Sequence, residues 1–119
     1  MKRVLLIDDE PAIGPLVELC LGSLDVDVVL ARNLSEALET AREGTVGLVL
    51  LDLALGSEDG LAILPKLREE PALAGVPIVA FTAHDSRKRE ALASGVDFFI
   101  ARPFATADLE ATVDAYLVR

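Results

Sequence analysis

Three aspartates, a threonine and an arginine stand directly behind short apolar runs in this 119-residue chain. Asp8 and Asp9 follow the run at residues 4–7, Asp52 follows 48–51, Thr82 follows 78–81, and Arg102 follows 98–101. Taken singly, an aspartate behind a strand is a turn residue or helix cap, a threonine there satisfies a backbone group, and an arginine before a proline is solvated. Five such residues at corresponding strand ends form a constellation. If the first, third and fourth runs are neighbouring strands, three carboxylates and a hydroxyl share one crevice, with a guanidinium at its border. Carboxylates that close raise at least one pKa unless a cation intervenes. An all-oxygen donor set suits a hard divalent ion, and Mg²⁺ is the common one in phosphate chemistry. Two roles are open to Asp52: metal ligand, or nucleophile that forms an acyl phosphate while the metal offsets charge on the transferred group. Thr82 could then hydrogen-bond one phosphoryl oxygen and Arg102 could pair with another. Ala83 is small and leaves room for such a group. Ala54 and His84 flank the site, with His84 read as an exposed loop residue.

The elements that must position these side chains are legible as an alternation. Apolar runs at residues 4–7, 26–30, 48–51, 78–81 and 98–101 predict five strands. The first, third and fourth are continuously apolar, as strands covered on both faces of a parallel sheet require. Asp27 and Asp97 at the starts of the second and fifth mark those as edge strands. Between them lie helical patterns. Asn33 with Glu36 has the form of a capping box before Leu34, Ala37, Leu38 and Ala41, and Gly44 ends that helix. Asp59 is placed to cap a helix carrying Leu61, Ile63, Leu64 and Leu67 up to Pro71, and Asp85 or Ser86 one running to Gly95. Leu109, Val113, Tyr116 and Leu117 form a stripe on a last helix from about Thr106. Pro15 requires the first helix either to start late or to bend. Cys20 is expected to face the core with Leu16 and Leu19. Strand and helix alternating through such short connections imply a doubly wound α/β domain, whose crevice lies beyond the carboxyl ends of the central strands.

Composition narrows the partners. Eleven basic against twenty acidic residues give a formal charge of −9, which disfavours direct nucleic-acid binding. A single cysteine and a single histidine provide neither a disulfide nor a zinc cluster. The longest charge-free stretch, residues 71–84, is too short to span a bilayer and contains two prolines. A cytoplasmic protein of one domain, residues 1–119, is the expectation.

From Ile7-Asp8-Asp9-Glu10 through Leu51-Asp52-Leu53 and Phe81-Thr82-Ala83 to Arg102-Pro103-Phe104, the whole chain resembles the receiver domains of two-component response regulators. The resemblance implies a CheY-like, flavodoxin-like three-layer sandwich with a five-stranded parallel sheet in the order 2-1-3-4-5. It implies that Asp52 accepts a phosphoryl group from a histidine kinase or phosphotransfer protein. It also implies that Asp9, Asp52 and the Ala54 backbone carbonyl bind Mg²⁺ directly, with Asp8 acting through a water. Thr82 and Ala83 would contact the phosphoryl group, Thr82 and Phe99 would form the switch, with Phe99 turning inward as Thr82 is drawn to the phosphate, and the Arg102-Pro103 peptide would be cis.

Two positions depart from the family pattern. Arg102 stands where the family has lysine, and a forked planar guanidinium fits a packed site differently from a compact ammonium. The loop from Leu55 to Gly60 lacks the usual proline, so its conformation is expected to be less constrained. The leading reading is a phosphorylation-activated signalling switch, not an enzyme, with no output domain after Arg119. It would signal to a downstream protein through the face made by the fourth helix, fifth strand and fifth helix, as a monomer or a phosphorylation-dependent dimer. The alternative is a degenerate receiver that binds partners without phosphorylation. A phosphatase or nucleotide binder on the same fold is disfavoured, because the eight glycines form no phosphate-binding motif and Asp52-Leu53-Ala54 lacks a second aspartate.

Overall fold

The computed structural model describes residues 2–56, 58–82 and 85–117. Strands β1 (Lys2–Ile7), β2 (Val26–Ala31) and β3 (Val46–Asp52) are followed by a two-residue antiparallel pair, β4 (Ala54–Leu55) and β5 (Glu58–Asp59), and then by β6 (Ile78–Thr82) and β7 (Phe98–Ala101). Helices α1 (Ile13–Cys20), α2 (Leu34–Arg42), α3 (Gly60–Glu69), α4 (Lys88–Ala93) and α5 (Thr106–Tyr116) connect or follow them, with 3₁₀ turns at Pro71–Leu73 and Asp85–Arg87. The main sheet is parallel throughout in the order β2-β1-β3-β6-β7. Counting only its own five strands in chain order, this is 2-1-3-4-5.

Alternation along the strands builds two apolar layers. Leu5, Ile7, Val49, Leu51 and Ala80 point to the side covered by Ala37 and Ala41 of α2, Ile63, Leu64 and Leu67 of α3, and Ala91 of α4. Val4, Leu6, Leu48, Leu50 and Phe81 point to the side covered by Ile13, Val17 and Cys20 of α1 and Leu109 and Val113 of α5. Every residue of β3 is buried, as expected of a central strand with helices on both faces.

The predicted strands match the observed ones, and the two aspartate-led runs are the edges. Asn33 caps α2 through its side-chain oxygen, which accepts the Glu36 N–H at 2.9 Å. The return half of the box shifts by one residue, since the Glu36 carboxylate accepts from the backbone of Arg32. Asp59 caps α3 by accepting the Leu61 N–H at 3.1 Å. The first helix starts late, at Ile13, so Pro15 falls in its first turn, where a missing N–H costs nothing.

Two expectations are corrected. Leu16 and Leu19 do not join Cys20 in the core: Ile13, Val17 and Cys20 recur at three- and four-residue spacing on the buried side, which turns Leu16 and Leu19 toward solvent. Neither Asp85 nor Ser86 is the cap of α4, because the chain first makes a 3₁₀ turn and Arg87 occupies the capping position without a side-chain cap bond. In the loop after β3, Ala54 pairs with Asp59 and Leu55 with Glu58, and Gly60 packs on the strand end.

Gly60 packs directly on the end of β3. Its N–H donates to the Leu53 carbonyl at 2.9 Å, and a Cβ there would meet the Asp52 carbonyl oxygen at 2.4 Å and the Leu53 Cα at 2.7 Å. Both obstacles are backbone, so relief requires moving the strand end or the start of α3. Gly60→Ala should therefore cost about 2 kcal/mol or more in urea unfolding. Gly44→Ala, at a φ of 90° with nothing within 4 Å of the added atom, should cost about 1 kcal/mol. Equal losses at the two positions would contradict the packing argument.

Candidate functional site

Parallel register brings the singled-out residues to one edge. Ile7 pairs with Leu51, Asp52 with Phe81 and Thr82 with Ala101, so the residues that follow these pairs leave the sheet side by side. Carboxylate oxygens of Asp8, Asp9 and Asp52 lie within 4.8 Å of one another. Asp8 is 1% exposed, Asp52 5% and Thr82 1%, whereas Asp9 is exposed.

Each buried acid is held by its own backbone. Asp8 Oδ1 accepts the Glu10 N–H at 3.0 Å, and Asp52 Oδ1 accepts the Ala54 N–H at 3.1 Å. Arg102 supplies the cation. Its Nη2 donates to Asp8 Oδ2 and lies 3.9 Å from Asp52 Oδ2. The guanidinium also sits over the Phe81 ring, 4.6 Å from its centroid, a cation–π contact that helps keep it at the edge of the crevice. The Arg102-Pro103 peptide is cis, and the Arg102 N–H donates to the Thr82 carbonyl at 2.8 Å. Among the described residues, Arg102 Nε is the one buried side-chain nitrogen or oxygen without a hydrogen-bond partner.

Phe99 is 7% exposed and packs in the layer that contains Ala80 and Ala91. The ring is therefore already turned inward, and its neighbour Phe98 is the exposed aromatic, stacked on Tyr116 with centroids 5.5 Å apart. Ala83 and His84 lie outside the described residues. Sequence reasoning missed three contributors. Gly60 abuts Asp52, Phe81 carries the guanidinium, and Gly56, at a φ of 66°, brings its backbone so close to Asp9 that a Cβ would meet Oδ2 at 2.7 Å. The glycines were visible as turn residues, but their proximity to the acids is tertiary.

The chemistry of this arrangement is that of crowded, half-neutralised carboxylates. Burial pushes the Asp52 carboxyl up to about 6; the Ala54 N–H pulls it down, the Asp8 charge adds to the rise, and Arg102 opposes it. An oxygen-only set of three acids, short of positive charge and converging from three segments, fits a hard divalent cation such as Mg²⁺.

A carboxyl whose pKa in the fold exceeds its unfolded value of 3.8 favours folding in its protonated form. That contribution is complete below about pH 4 and is lost as pH rises through about 6. With a chelator present, Asp52→Asn should melt above wild type at pH 7.5, by on the order of 5 °C. The gap should close toward pH 4. A wild-type protein as stable as the variant at pH 7.5 would show that the crowding is already compensated.

The family model for the response regulator receiver domain matches residues 4–114. The transcriptional regulatory protein SrrA of Staphylococcus aureus is 34% identical over 99% of this chain and 48% of its own length, and the chain spans about half the length of the curated relatives it matches. Among solved structures, the Vibrio cholerae chemotaxis protein CheY4 superposes with a TM-score of 0.86 at 24% identity, covering 98% of this chain and 99% of its own. The receiver domain of the sensor histidine kinase PA1611 of Pseudomonas aeruginosa, solved with magnesium in its active-site cleft, has a TM-score of 0.83 at 26% identity, covering 97% and 96%. Sheet order, the acidic crevice and a match over nearly the whole chain agree, and the chain belongs to the response regulator receiver domain family.

Proposed function

We propose that Asp52 is a phosphoacceptor and that the protein relays a signal from a histidine kinase or phosphotransfer protein to a downstream protein partner. The observation that carries this reading is the place of Asp52: a nearly buried carboxylate at the end of the central strand, beside two further acids and within 4 Å of a guanidinium. In the transfer, a carboxylate oxygen of Asp52 attacks phosphorus, the bond from phosphorus to the donor histidine nitrogen breaks, and the electron pair leaves on the imidazole. Asp9, Asp52 and the Ala54 carbonyl would hold Mg²⁺, with Asp8 reaching it through a water; the ion would offset charge on the transferred group. Thr82 and Ala83 are assigned to the phosphoryl oxygens and Arg102 to charge compensation. The family relationship supports this, as does the magnesium reported for the Pseudomonas receiver. A cytoplasmic location, no direct contact with nucleic acid, and a monomer or phosphorylation-dependent dimer complete the proposal for this domain.

A second reading, a receiver that binds partners without phosphorylation, draws on Arg102, whose guanidinium already occupies Asp8. One experiment separates the two. Incubation with Mg²⁺ and a small phosphodonor should add one phosphoryl group by mass, labile to hydroxylamine, and Asp52→Asn should take up none. Labelling that survives in the variant, or resists hydroxylamine, refutes the assignment. Because the guanidinium needs more room than an ammonium, Arg102→Lys should label faster than wild type and Arg102→Ala more slowly. A slower lysine variant would show a pocket adapted to arginine.

A further inference from the structure

Helix α4 has little to hold it. It runs for six residues, buries one of them, Ala91, and starts without a side-chain cap. The residue at its capping position, Arg87, spends its side chain elsewhere. Nη1 and Nη2 donate to the two carboxylate oxygens of Asp59 at 2.9 and 3.1 Å, Nε donates to Glu90 at 2.9 Å, and Nη1 reaches the Leu53 carbonyl at 3.4 Å.

Each of these partners has a second duty. Glu90 lies on α4 itself, so its bond fixes the guanidinium to the helix. Asp59 caps α3, and the Leu53 carbonyl also receives the Gly60 N–H. Leu53 is the residue after Asp52, and beyond it Ala54 pairs with Asp59 and Leu55 with Glu58. A single guanidinium therefore joins the loop behind the phosphoacceptor, the start of α3 and the start of α4. An isolated exposed ion pair contributes little. This one is bidentate and triply anchored, and the pairing holds the Asp59 carboxyl below its ordinary range.

We propose that Arg87 is a positioning residue that carries the state of the Asp52 loop to α4. The proposal rests on Asp52 being the phosphoacceptor. A group added to the Asp52 carboxylate alters the oxygen that accepts the Ala54 N–H, and Ala54 opens the hairpin that ends at Asp59. Displacement of the pair formed by Ala54 and Asp59 acts on Arg87 at Asp59, and at the carbonyl of Leu53 just before it, and through Glu90 on the helix. The exposed side chains carried by α4 include Lys88, Arg89 and Leu92.

Backbone amide NMR with Mg²⁺ and beryllofluoride as the phosphoryl mimic tests it. Two variants cut the tie from opposite ends: Arg87→Gln, and Asp59→Asn, which keeps an oxygen to cap α3 while removing the charge. In wild type, the amides of Ala54 and Thr82 and those of residues 88–93 should all shift. In both variants the shifts at 88–93 should fall by at least half while those at Ala54 and Thr82 keep their size. Undiminished shifts at 88–93 in both variants overturn the inference, as does a wild-type α4 that does not respond. If Ala54 and Thr82 fail to shift in wild type, the phosphoacceptor reading falls and takes the inference with it.

Discussion

Burial of negative charge at the carboxyl edge of the sheet is the condition on which the other features depend. Asp8 and Asp52 are almost wholly removed from solvent, and Asp9 stands beside them. Left alone, such a group would lower its charge by protonation or weaken the fold. The protein answers with one backbone N–H to each buried acid and with a guanidinium braced on an aromatic ring. The compensation is partial, since three carboxylates share one guanidinium. A site left short of positive charge is one that a divalent ion can complete.

Precision at this edge comes from the layers behind it. β3 is buried along its whole length, so the direction in which Asp52 leaves the sheet is set by packing on two faces. Immediately beyond, the chain must turn within reach of α3, and Gly60 allows two stretches of backbone to approach more closely than any side chain would permit. Arg102 is aimed by a different device, the hydrogen bond from its N–H to Thr82, which ties β7 to β6 at the crevice.

Strand positions, edges, sheet order and the five strand-end residues were legible in the sequence because they rest on local period and on resemblance. Contacts that depend on which helix face meets which neighbour were less so. Leu16 and Leu19 are as apolar as Val17, and only the crossing of α1 over the sheet decides which of them is covered. Asp85 and Ser86 have the right chemistry for a cap, yet the chain spends those residues in a 3₁₀ turn. Phe99 is buried in the layer that contains Ala80 and Ala91, a placement set by the packing of β7 under the helices. Gly60 and Arg87 carried no signal beyond turn and surface charge, since Gly60 meets the end of β3, and Arg87 reaches Asp59 and Leu53, only once the chain is folded.

The order of the strands also has a meaning in time. Asp8, Asp9 and Asp52 all belong to the first half of the chain, and β1 and β3 are direct neighbours in the sheet. Arg102 belongs to the last strand and its exit, next to β6. A domain folds as a unit, so although the acids stand far ahead of Arg102 in the chain, the edge that crowds them and the strand that delivers the arginine form in one event. Crowding of the acids and their partial neutralisation are thereby tied to one closure of the sheet, through the pairing of β6 with β7 that holds Arg102 against Thr82.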